Sequence, residues 1–73
     1  MFKSRPEHYG FNIKQAADFT ARPAVINAPE GHTEPAVILR TLGSIQGVLP
    51  VTEALRIANE IADALAAHNG KAN

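Results

Sequence analysis

The chain has 73 residues and a mass of 7.8 kDa, with seven basic and seven acidic residues and a formal net charge of zero. It contains no cysteine, which excludes a disulfide framework and a thiolate zinc site. No apolar run exceeds that of Ala36-Val37-Ile38-Leu39, far short of the roughly 20 residues a membrane span needs, so no membrane partner is expected.

Met1 to Gly10 mixes charge, Pro6 and His8 with no apolar block, so no secretory leader is expected and the protein is placed in the cytoplasm. The basic residues Lys3, Arg5, Lys14 and Arg22 give residues 1–22 a mild positive bias over Glu7 and Asp18. A solvated terminus accounts for that bias more simply than a phosphate contact, and zero net charge disfavours nucleic acid as a partner. Residues 1–10 are expected to be a flexible arm, residues 11–49 an extended and hairpin region, and residues 53–68 a helix, all in one small domain.

Phe11-Asn12-Ile13-Lys14 alternates apolar and polar residues as a short strand would, and Gln15-Ala16-Ala17-Asp18 suits one helical turn. Phe19–Asn27 and Ala36–Thr41 are rich in β-branched residues and predict two strands. Between them Ala28–Pro35 carries proline and glycine at turn spacing and predicts a hairpin loop. Pro23 lacks a backbone donor, so the first strand is expected at a sheet edge or at a bulge. Ser44–Leu49 is a further extended segment between Gly43 and Pro50, whose neighbouring glycines suit a bend or bulge.

The last element is the clearest. Leu55, Ile57, Ala58, Ile61, Ala62 and Leu65 recur every three or four residues, as one face of an α-helix requires. Glu53, Arg56, Glu60 and Asp63 occupy the other face, where Arg56 can pair one turn back or one turn on. Thr52 is the expected N-cap, His68 complements the C-terminal dipole, and Asn69-Gly70 offers a left-handed C-cap. Ala54, Ala58, Ala62 and Ala66 form a small-residue ridge that lets another element approach closely. Leu55, Ile57, Ile61 and Leu65 are expected to pack on the protein's own sheet.

The segment from Leu49 to Ala66, through Leu49, Glu53, Ala54, Ile57, Ala58 and Ile61, resembles the ends of small uncharacterised proteins of actinobacteria and their phages. In those proteins a strand or hairpin enters a helix of the form Leu-Thr-Pro-x-Glu-Ala-x-x-Leu-Ala-x-x-Leu. Here Pro50 precedes Thr52, whereas in that pattern proline follows the capping residue. The resemblance covers about a quarter of the chain. It implies a β-hairpin packed on a C-terminal helix and carries no activity.

Few side-chain constellations suggest chemistry. His8, His32 and His68 lie in separate segments, and His32 with Glu30 and Glu34 reads better as a polar loop than as a cation site. Ser4 and Ser44 lack a nucleophile-elbow setting, and Gly43-Ser44-Ile45-Gln46-Gly47 has no lysine to complete a phosphate loop. Glu60 and Asp63 on a solvated helix face are ordinary surface carboxylates. No catalytic, cofactor-binding or metal-ligating residue is expected.

A chain this small lacks core, since about 60 residues bury only about 60% of the surface the unfolded chain exposes. With no disulfide or metal to compensate, burial against a partner is expected, most simply as a homodimer. The expected fold is α+β, a small antiparallel sheet of two to four strands carrying one C-terminal amphipathic helix. The expected function is a small non-catalytic protein-interaction module, phage-encoded or accessory, that binds a host protein. A dimeric DNA-binding regulator using the basic N-terminal residues is the alternative. The expected interaction residues are Leu55, Ala58, Ile61, Ala62 and Leu65 on the helix, with Val37 and Leu39 on the exposed edge of the second strand.

Overall fold

A computed structural model describes residues 1–69 and shows an α+β fold. A single 3₁₀ turn, Pro6–His8, leads into helix α1 (Tyr9–Asp18). Three strands follow, β1 (Thr20–Asn27), β2 (Thr33–Thr41) and β3 (Ser44–Pro50), and helix α2 (Val51–Asn69) completes the described chain. The sheet is an antiparallel meander of order β1-β2-β3.

The N-terminal third differs from expectation. Phe11–Lys14 lies inside α1 rather than forming a strand, and Gln15–Asp18 is the end of that helix rather than an isolated turn. An alternation only four residues long is weak, and the helix formers Gln15, Ala16 and Ala17 extend the α conformation backwards. The residues expected as a flexible arm already turn at Pro6, which suits the first position of a helical turn, with Glu7 beside it.

The two predicted strands form, and β1 is an edge strand, as Pro23 requires. The hairpin loop is shorter than expected, because Thr33, Glu34 and Pro35 pair with Asn27, Ile26 and Val25. Ala28-Pro29-Glu30-Gly31 forms its β-turn: the Gly31 amide donates to the Ala28 carbonyl at 3.0 Å, and Gly31 adopts φ +86°. Pro35 is tolerated in β2 because the ladder to β3 ends at Ala36↔Pro50, one residue short of it.

β3 is joined to β2 by a tight turn in which Leu42 and Gly43 both have positive φ, 50° and 77°. Two successive left-handed residues match the twist of a two-residue hairpin, and the commonest occupants are Asn-Gly. Leucine at the first position is strained, so Leu42→Asn is expected to stabilise the protein by about 1 kcal/mol in chemical denaturation. Gly43→Ala is expected to destabilise it by a similar amount, about 1 kcal/mol. The register slips between Leu39↔Gly47 and Arg40↔Ile45, which leaves Gln46 as the extra residue of a bulge beside Gly47.

With β3 in place, β2 is the central strand. Its expected exposed edge does not exist, since β1 and β3 take the hydrogen bonds on both of its sides. Val37 and Leu39 therefore present a sheet face and not an edge.

Helix α2 begins directly after Pro50, two residues before the expected start, so Thr52 lies in the first turn and is not the cap. The expected cap at Asn69-Gly70 falls partly outside the described residues. Arg56 makes both expected bonds at once, Nε to Glu53 at 2.9 Å and Nη1 to Glu60 at 2.8 Å. These two bonds, Glu53's first, hold the guanidinium above its ordinary pKa.

α2 rests on β2 and β3, whereas β2 is the one strand that α1 packs against. Two bonds tie α1 down. The buried Thr41 hydroxyl donates to the Gln15 carbonyl at 2.7 Å, and the Leu42 amide donates to the Asp18 carboxylate.

Candidate interaction surface

Cross-strand partners in an antiparallel sheet point to the same face. Ala21, Leu39 and Gly47 are in register, as are Pro23, Val37 and Leu49, so these residues share one face. α2 crosses that face and leaves an apolar groove of about 360 Å³ beside it. Ala21, Val37, Leu39 and Leu49 line the sheet side, and Ala54, Leu55, Ile57, Ala58 and Ile61 line the helix side.

Five of the seven expected interaction residues meet in this groove: Val37, Leu39, Leu55, Ala58 and Ile61. Ala62 and Leu65 continue along α2 outside it. Leu55, Ile61 and Leu65 were expected to pack on the sheet, yet they are 61%, 58% and 61% exposed. Only Ala54 and Ile57 on α2 are half-buried. The helix touches the sheet along one flank of an apolar arc that spans about half its circumference. Ala21 and Leu49 were not anticipated as groove residues, because β-strand alternation fixes their face only once the register is known.

Among the described residues Ala36 and Thr41 are the buried ones, at 6% and 2% exposure. The accessible surface is 5889 Å², against roughly 4,400 Å² for a compact globule of this mass. The radius of gyration, 15.7 Å, compares with about 11 Å for a compact chain of this length. The chain by itself is open, and the surplus surface is about 1,500 Å².

The charged and polar candidates do not converge. His32 Nε2 lies 3.7 Å from Glu34 without Glu30, and no cluster of three potential metal ligands occurs among the described residues. Glu60 is bonded to Arg56, and Asp63 stands apart on the solvated face. Lys3 and Arg5 lie on the arm, Lys14 on α1 and Arg22 on β1, and Arg5 is paired with Glu7 at 2.7 Å. Among the described residues no helix is long and apolar enough to cross a membrane. Comparison with protein families, characterised proteins and solved structures finds no match.

Proposed function

We propose that this chain is a small non-catalytic protein-interaction module that assembles as a homodimer. In that form it acts in the cytoplasm as an accessory or phage-encoded factor binding a host protein. The observation that carries this reading is the open apolar groove between α2 and the sheet, in a chain whose buried residues, among those described, are Ala36 and Thr41. A specific interface removes about 800 Å² from each partner, and the surplus surface of this chain supplies that area. Its apolar character makes burial favourable, at roughly 25 cal/mol per Å² before the costs of association.

Sedimentation equilibrium at micromolar concentration is expected to give twice 7.8 kDa, with a melting temperature that rises with protein concentration. A concentration-independent species of 7.8 kDa overturns the reading.

A further inference from the structure

Resting on the homodimer reading, we propose that the second copy is seated through its own α2, antiparallel to the first, along a seam of Val51, Leu55, Ala58, Ala62 and Leu65. These positions alternate in steps of four and three, the a/d spacing of a helix that packs against another helix. All five are exposed in the single chain. Val51, Leu55 and Ala58 lie beside the half-buried Ala54 and Ile57, and from Ala58 onward every described residue of α2 is exposed, Ala62 and Leu65 among them.

From Leu55 to Leu65 the seam is self-complementary about residue 60. Leu55 and Leu65 lie five residues to either side of it, and Ala58 and Ala62 lie two to either side. A two-fold axis at that level puts Leu55 of one copy against Leu65 of the other, and Ala58 against Ala62. That is the repeated, reciprocal contact an isologous interface requires. Large side chains then close the two ends, and alanines at the centre let the backbones come near.

The charges agree with this placement. Glu53, Arg56, Glu60 and Asp63 all fall at the positions of the repeat that point away from a partner helix, and the positions flanking the seam carry Thr52, Ala54, Asn59, Ile61, Ala66 and His68. No like charges meet across the axis. Leu55 and Ala58 also line the groove whose sheet side includes Ala21 and Val37, so the seam runs into that groove.

The chain has no cysteine, so an introduced one reports only its own position. Ala58→Cys and Ala62→Cys proteins are prepared separately, mixed in equal amounts and oxidised with diamide. The mixture is expected to form a covalent 58–62 heterodimer, while each variant oxidised alone gives little product, because like positions lie more than a helical turn apart along the axis. Cross-linking of each variant alone, with none between them, indicates parallel helices and overturns the proposal. A dimer in sedimentation that cross-links in neither case overturns it too, while leaving the homodimer reading intact. A monomer in sedimentation overturns both.

Discussion

Ala62→Asp is expected to convert the dimer into monomer at concentrations where the unmodified chain is fully associated. In the separate chain position 62 is exposed, so the new carboxylate is solvated there and costs only the modest helix propensity of aspartate, roughly half a kcal/mol. In the dimer each copy places that carboxylate against Ala58 of the other, in an apolar seam with no cation to pair with it. Leaving an uncompensated charge at a buried site costs about 3–5 kcal/mol, and the two-fold axis imposes the cost twice. Because about 1.4 kcal/mol is a factor of ten, dissociation should strengthen by at least about a hundredfold even after partial relaxation. Ile61→Asp is expected to act in the same direction while also disturbing the groove beside the sheet. Asp63→Ala, one residue along but facing solvent, is the control and should leave association unchanged. Sedimentation of the three variants checks the prediction, and an aspartate at 62 that leaves the dimer intact contradicts it.

Thr41→Val is expected to destabilise the fold by about 1–2 kcal/mol and to release α1 selectively. Valine nearly preserves the shape of threonine and removes only the hydroxyl. That hydroxyl satisfies the Gln15 carbonyl, one of the acceptors the end of a helix leaves without an intrahelical donor. The Phe19 amide cannot substitute, because it bonds to the Ala16 carbonyl at 3.2 Å. α1 buries little apolar surface, with Tyr9, Phe11 and Ile13 all more than half exposed, so two bonds carry much of its attachment. Amide exchange in α1 should accelerate in Thr41→Val, while exchange in β1 and β2 changes less. Asp18→Ala removes the other tie and should couple with Thr41→Val in a double-mutant cycle, since both act on the docking of one helix. Uniform acceleration across sheet and helix would show instead that α1 and the sheet open as one unit.

Much of the architecture follows from local patterns. The three-and-four spacing from Ala54 to Leu65 specifies α2 because a helix is the conformation that gathers those positions onto one face. The Val-Ile pairs specify β1 and β2, and Pro29 with Gly31 suits the β-turn between them. Pro23 calls for an edge or a bulge in β1, because its missing donor cannot serve a ladder, and the strand order supplies the edge. α1 was harder to read. The 3₁₀ turn before it opens with Pro6-Glu7, a helix-start signal, but the apolar alternation of Phe11 and Ile13 points the other way, and those side chains are more than half exposed in the helix.

Tertiary structure alone decided which surfaces remain open. Strand order is a non-local property: β2 became central only because the turn at Leu42-Gly43 brings β3 back beside it, and this removed the edge at Val37 and Leu39 that the strand has in isolation. The same holds for α2. Its apolar arc is visible in the sequence, but the exit from β3 at Pro50 sets the rotation of the helix over the sheet. That rotation turned Ala54 and Ile57 inward and left Leu55 outside, while Ile61, Ala62 and Leu65 lie on the part of α2 where every described residue is exposed. Periodicity determines that an apolar face exists, and only the packing of distant segments determines which part of it is already covered.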